Sequence, residues 1–282
     1  MTNFLIIPDI HGQITQYEKT ERLIFESISA SPDIHMIFLG DYIDRGSGGE
    51  FEYFCRKFGK SINLYYEDIG SRMIVERLLK LKEHFVENDI THTFLHGNHE
   101  HYFIENISIL ESSNNLVSIL ESKMNNRSRK TYTEMLNTIR GFTQDFDLMI
   151  RAKRFFQSMP LYFYDEKNNL FFTHAGVNPD KTLTTCDSDD YLAIREKFFL
   201  YKGTYPSTII FGHTPFDSLS DEEKAFLNVD QYGIIFKQDR IGIDSGNYRG
   251  HPINLLQIKD SEFFLLKEVG NSFQTQQIYH KK

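Results

Sequence analysis

The chain has 282 residues, 40% hydrophobic and 25% charged, with a formal net charge of −8. That balance is one of an ordinary globular protein, and the absence of a basic stripe argues against nucleic acid or an anionic membrane as main partner. Only Cys55 and Cys186 occur, which excludes a disulfide framework and a zinc ribbon and suits a reducing cytoplasm, with one disulfide left open.

Taken in chain order, Phe4–Ile7 is an apolar run with the look of a buried strand, and it leads into Pro8-Asp9-Ile10-His11-Gly12. No basic leader precedes it and no later run is long enough to span a bilayer, so a cytoplasmic location is expected. Residues 16–29 carry Tyr17, Leu23, Ile24 and Ile28 at helical spacing. A second strand-like run, Met36–Leu39, opens onto Gly40-Asp41-Tyr42-Ile43-Asp44-Arg45-Gly46. Two carboxylates and an arginine crowded between glycines at a strand end have little structural reason, although a solvated turn with a local salt bridge would look the same.

About twenty residues, 50–69, follow the Ser47-Gly48-Gly49 turn and contain Phe51, Tyr53, Phe54, Phe58, Tyr65 and Tyr66. They read as an insertion over roughly 47–70, either a lid beside a site or a surface excursion packing its own aromatics. A helix resumes at 71–79. Thr93-Phe94-Leu95 then runs into His96-Gly97-Asn98-His99-Glu100. Residues 101–156 read as mostly helical, interrupted by loops at Asn114-Asn115 and Asn125-Asn126 and by the basic run 127–130, a solvated face or a substrate contact. A hairpin is expected from 161–164 and 170–173, the second arm running into His174-Ala175-Gly176. Thr208–Phe211 runs into Gly212-His213-Thr214, and further strands are expected at 234–236, 241–243, 253–258 and 262–266. The polar tail from Asn271, with His280, is expected to fray.

Five strand-like runs therefore end in Asp, His or Asn beside a glycine. Such residues at the carboxyl ends of neighbouring strands would converge at one sheet edge, and oxygen and imidazole donors suit divalent first-row metals. The motifs spread from Asp9 to His213, so a cut between them would split the site; one domain over 1–282 is expected. In this order the motifs DxHG, GDxxDRG, GNHE, HAG and GHT resemble the PPP-type serine/threonine phosphoprotein phosphatases, bacterial or phage type, within the calcineurin-like metallophosphoesterases. The resemblance runs from Ile6 to about Gly250.

That resemblance implies an α/β fold, a four-layer α/β/β/α sandwich with a dinuclear centre at its edge. It implies that Asp9, His11 and Asp41 hold one metal, and that Asp41 bridges to a second held by Asn98, His174 and His213. The expected ions are two Mn²⁺, with iron or zinc as alternatives, and a hydroxide between them as nucleophile. His99, paired with Asp44, is implied as general acid. Arg45 is placed by its motif as a phosphate binder. A second such arginine belongs in a helix between HAG and GHT, where Arg195 stands, with Leu192 at a position where bacterial members often have tryptophan; the chain has none. A helix-surface salt bridge of Arg195 with Glu196 or Asp190 is the plainer alternative. Tyr248, in Asp244-Ser245-Gly246-Asn247-Tyr248-Arg249-Gly250, resembles a tyrosine-bearing loop over the site. His96 is a conceivable neighbour of the metal ligands, whereas His35, His84, His92, His101, His251 and His280 match no motif position.

The implied activity is hydrolysis of a phosphomonoester without a phosphoenzyme, on a phosphorylated protein or a small phosphoester. A bis(5′-nucleosyl)-tetraphosphate hydrolase shares the motifs; Glu100 tilts away from it, since those enzymes often have Asp there. A catalytically silent phosphate-binding or regulatory protein is the alternative from another class, and the intact ligand set speaks against it.

Overall fold

A computed structural model describes residues 3–46, 54–55, 60–61, 67–111, 129–142 and 145–278. Two sheets carry the architecture. The first contains β1 (Asn3–Ile7), β2 (Ile34–Phe38), β5 (His92–Phe94), β11 (Asn254–Lys259), β12 (Glu262–Val269) and β13 (Ser272–Ile278), ordered β13-β12-β11-β1-β2-β5. The second contains β6 (Tyr162–Asp165), β7 (Leu170–Thr173), β8 (Thr208–Phe211), β9 (Ile235–Lys237) and β10 (Arg240–Gly242), ordered β6-β7-β8-β10-β9. A two-residue ladder, β3 (Phe54–Cys55) with β4 (Lys60–Ser61), stands apart. The aromatic side chains and most of the backbone of the 47–66 stretch lie outside the described residues, as do Asn114, Asn125 and His280.

Side-chain alternation turns these sheets into layers. On β1, Phe4 and Ile6 face a core shared with Ile37, Phe172, Ile210 and Ile241, which glues the two sheets together. Leu5 and Ile7 face the opposite core, packed under α1 (Ile14–Ala30), α2 (Ile69–Glu87), α3 (Asn98–Glu111), α4 (Arg129–Phe142) and α5 (Phe146–Gln157). The outer face of the second sheet, with Phe171, Ile209 and Phe211, packs against α6 (Ser188–Ala193), α7 (Glu196–Phe199) and α8 (Asp221–Leu227) through Tyr191, Phe198 and Leu227. The result is the four-layer α/β/β/α arrangement. Strands apolar on both faces are what a doubly covered sheet requires.

Three expectations need correction. Residues 272–278 of the tail form strand β13, paired with Phe263–Val269 of β12. Phe273 and Ile278 are its only apolar anchors, one on each face, so neither shows a period; the ladder bonds to an otherwise open edge order the segment. Arg129 and Lys130 begin a helix rather than a loop. The insertion ends two residues earlier than the 70 expected, because Asp68 caps α2 by accepting from Ser71 N at 2.8 Å, as carboxylate side chains commonly do at helix starts. Its carboxylate also accepts from Gly46 N at 2.9 Å, so both ends of the excursion meet at one residue.

Arg240, on β10, is fully buried. It pairs with Asp239 at 2.9 Å and donates to the carbonyls of Phe198, Phe199, Tyr201 and Gly203 between 2.8 and 3.3 Å. These close the end of α7, which the last turn of a helix leaves unpaired. Arg240→Ala should therefore lower stability by ~3–5 kcal/mol, read as a fall in the urea midpoint with an unchanged slope; a loss under about 1 kcal/mol would show that water satisfies those carbonyls.

Candidate metal and phosphate site

Strands β1, β2 and β5 are mutually parallel, as are β7, β8 and β10. Their carboxyl ends deliver Asp9 and His11, then Asp41, then Asn98, then His174, His213 and Asp244 to the seam between the sheets. Hydrogen bonds lace that seam. His174 Nδ1 is 2.9 Å from Leu39 O, and His213 N donates to both Asp9 oxygens at 3.1 and 3.0 Å. The close approach demands glycine, as Gly212 and Gly97 show. A Cβ on Gly212 would lie 2.1 Å from Asp9 Oδ1, and one on Gly97 would lie 2.3 Å from Asp41 N.

Asp41 is central. His174 Nε2 lies 3.3 Å from its Oδ1, and His11 Nε2 and His99 Nε2 lie 3.6 and 3.7 Å from its Oδ2. Burial would raise the Asp41 carboxyl, but His174, His99 and His11 outweigh it and hold it well below the usual carboxylate range. Two groups of side chains could hold a cation: Asp41 with His11 and His99, and Asp41 with His174 and His213. Asp9 stands slightly back, its Oδ2 4.0 Å from His11 Nε2.

The donor set fits divalent cations. Nδ1 of His11 faces Ile43 O at 3.1 Å and Nδ1 of His174 faces Leu39 O, so both rings carry that proton and turn Nε2 inward. His174 Nε2 meets Asn98 Oδ1 at 3.0 Å and His213 Nδ1 at 3.1 Å, an inward convergence of acceptors. Asp41 lifts His174 to about 9 against the effect of burial, the mark of a cluster that calls for positive charge, whether proton or metal. Burial and then Asp244 raise Asp9, and burial lifts Asp244 to about 6. Asp244 Oδ2 is buried without a hydrogen-bond partner among the described residues. Burial, with a neighbouring cation in each case, keeps His11 and His213 neutral as ligands must be.

Beside this cluster, His99 Nδ1 is 2.5 Å from Asp44 Oδ2, and Asp44 Oδ1 accepts from Thr138 Oγ1. Burial opposes a charged His99, but Asp41 and Asp44 together raise it. Arg45 reaches His11 Nε2 at 2.7 Å, His99 Nε2 at 3.1 Å and Glu134 at 3.1 Å. Its guanidinium lies 4.2 Å from the centre of the Tyr248 ring, which meets His11 edge-on at 4.9 Å. Arg195 donates to Thr214 Oγ1 at 3.2 Å and His213 O at 3.4 Å. It is not in a helix, as expected, but between α6 and α7: Ile194 is extended and ends the first. That break turns the guanidinium towards the cavity, while Asp190 pairs with Lys181 instead. Arg45, Arg195, Tyr248, Asn98, His99 and Asp41 all line one cavity of about 420 Å³. His96 does not; it is buried, and its Nε2 has no hydrogen-bond partner among the described residues.

The sequence reading left several supporting roles unassigned. Glu100 is fully buried and accepts from Asp41 N, Tyr42 N and Gly97 N at 2.9–3.1 Å, so it shapes the loop and does not face the cavity. Thr138 and Asp68 support Asp44 from behind, 3.3 Å apart. Asp244 and Asp68 lie outside the motifs, and Thr138 sits in a polar helix; only their polar character beside apolar runs could have flagged them.

The calcineurin-like phosphoesterase family profile matches residues 2–241, and the chain belongs to that family. No curated protein sequence matches it. Among solved structures it is similar to a candidate diadenosine tetraphosphatase, at TM-score 0.52 and 15% identity, over 95% of this chain and 94% of that one. It is also similar to a cold-active protein-tyrosine phosphatase of a psychrophile, Shewanella sp., at TM-score 0.50 and 15% identity, over 97% of this chain and 80% of that one. These identities speak to fold alone. No helix among the described residues is long and apolar enough to cross a membrane.

Burial lifts the Asp68 carboxyl from 3.8 to about 6, against the bonds it accepts from Ser71 and Gly46. Between those values the folded chain keeps a proton that the unfolded chain has released. Stability therefore falls as pH rises from about 4 to about 6, by up to ~3 kcal/mol from this group. Asp68→Asn should remove that slope: its urea midpoint relative to the parent protein rises across the window. A constant difference from pH 4 to 7 would show that Asp68 ionises normally.

Proposed function

We propose that this protein is a dinuclear metal-dependent phosphomonoesterase acting on phosphoserine and phosphothreonine in proteins. The convergence of Asp9, His11, Asp41, Asn98, His174 and His213 at the seam between the two sheets, beside two arginines in a single cavity, is the observation that supports it. Asp9, His11 and Asp41 would hold one cation, and Asp41, Asn98, His174 and His213 the other, with Mn²⁺ the expected ion. Such cations, when bound, neutralise phosphate charge and lower the pKa of water.

The chain's own side chains orient the ester and move the proton. Arg45 and Arg195 offer planar forks that match phosphate oxygens. To use its fork Arg45 exchanges His11 and His99 for the phosphate, while Tyr248 keeps a ring face under it. His99 then has a free Nε2 towards the cavity, while its Nδ1–H donates a hydrogen bond to Asp44. A proton on that Nε2 is positioned for the departing alkoxide. Asp44 sets the ring's orientation and favours the charged imidazole.

A second reading, a bis(5′-nucleosyl)-tetraphosphate hydrolase, keeps its place because Glu100 points away from the cavity and cannot choose between substrates. Rates on a phosphopeptide panel and on diadenosine tetraphosphate, measured side by side with Mn²⁺, decide between the two. Elemental analysis of the active enzyme should find two divalent ions per chain, and Asp41→Asn should lose affinity at both sites. One tightly held ion in a fully active preparation would sink the dinuclear reading. His99→Asn should cost ~10²–10⁴-fold on phosphoserine peptides, whereas nitrophenyl phosphate, whose leaving group needs little protonation, should lose far less. Equal losses on the two substrates would make His99 a ligand or phosphate binder.

A further inference from the structure

Arg45 and Arg195 are enough to hold one phosphate dianion, yet a third guanidinium, Arg249, lines the same cavity. Two contacts fix its side chain. Nε donates to Tyr248 Oη at 2.9 Å, and Nη1 donates to the Asp217 carboxylate. Asp217 is held in turn by His251 Nε2 at 3.3 Å. The loop beneath is tied to the motif that carries Asp9 and His11, since Asn247 Nδ2 donates to Ile10 O at 3.1 Å. Arg249 and Arg45 stack on the one Tyr248 ring, 5.2 and 4.2 Å from its centre.

Three cations thus share one cavity. Glu134 offsets Arg45 and Asp217 offsets Arg249, while Arg195 has no carboxylate within 4.0 Å among the described residues. Nη2 of Arg249 has no protein partner there either, and the side chain is 36% exposed at the rim. A fixed guanidinium with one open edge, beside the phosphate arginines, is laid out for an anion that is part of the substrate but not its scissile phosphate.

We propose that Arg249 is a specificity residue that binds a second anionic group of the substrate, so that esters with two negative centres are preferred. The proposal rests on the phosphoester hydrolase reading above. The group it takes is a carboxylate or phosphate. It could come from an acidic side chain next to a phosphoserine, or from the next phosphate of an oligophosphate chain.

The test compares kcat/KM within two substrate pairs, with Mn²⁺ supplied. One pair is a phosphoserine peptide with Asp, or with Ala, directly after the phosphoserine. The other is diadenosine tetraphosphate and nitrophenyl phosphate. For Arg249→Gln, the ratio of the more anionic to the less anionic substrate should fall about tenfold or more in at least one pair, mainly through KM, with a smaller fall for Arg249→Lys. The pair that responds identifies the source of the group. Ratios within about twofold of the parent enzyme in both pairs would overturn the proposal. So would an equal loss on all four substrates, which would make Arg249 a clasp for Tyr248. A parent enzyme that turns over none of the four fails at the earlier step and takes the hydrolase reading down with it.

Discussion

Asp41 holds a carboxylate only 3% exposed, ringed by imidazole nitrogens of His174, His11 and His99 between 3.3 and 3.7 Å away. A buried charge is tolerable only when it is paired and hydrogen-bonded. Its partners come from three other strand ends, one of them in the opposite sheet. Neither sheet alone can compensate it, so the seam between the sheets, with its bonds from His174 to Leu39 and from His213 to Asp9, is held together by the same groups that form the site. The cluster of candidate ligands and the packing of the sandwich are one electrostatic problem with one solution.

That solution is strained. His11, Asp41, Asp44, Arg45 and His213 all have φ between 49° and 67°. Non-glycine residues in this region cost on the order of 1–3 kcal/mol each and persist only where the surroundings over-determine them; Asp and His bear it better than most. The surroundings here are buried and polar. Glu100 fixes three backbone N–H groups of the Asp41 and Gly97 loops. Asp68 and Thr138 fix the other end of the same loop through Gly46 and Asp44. Three apolar cores supply the stability against which this strain is held.

The cavity divides into a floor and a rim. Strand ends build the floor, where the metal-binding groups sit. Loops after α6, β8 and β10 build the rim, and they carry Arg195, Asp217, Tyr248 and Arg249. Loops vary more readily than the strands that present them. The rim is therefore the part of the cavity with the most freedom to vary.

Much of the floor was legible in the sequence. Runs such as Phe4–Ile7, Met36–Leu39 and Thr208–Phe211 declare buried strands by their apolar continuity, and a polar residue beside glycine at each strand end is a local pattern that survives without coordinates. The six ligand candidates, His99 with Asp44, and Arg45 follow from such patterns and from the family they resemble. Tertiary structure alone decided what depends on distant partners. β13 exists because an edge of β12 was open to it, not because its own residues repeat. Arg195 faces the cavity because the chain breaks at Ile194, which no periodicity in 188–199 announces. Asp68, Thr138, Asp244 and Arg249 are ordinary polar residues in one dimension; only their burial, or their place on a shared cavity wall, gives them a role. Local patterns record which groups each strand end offers, whereas the balance of charge among those groups is a long-range property that only the folded chain determines.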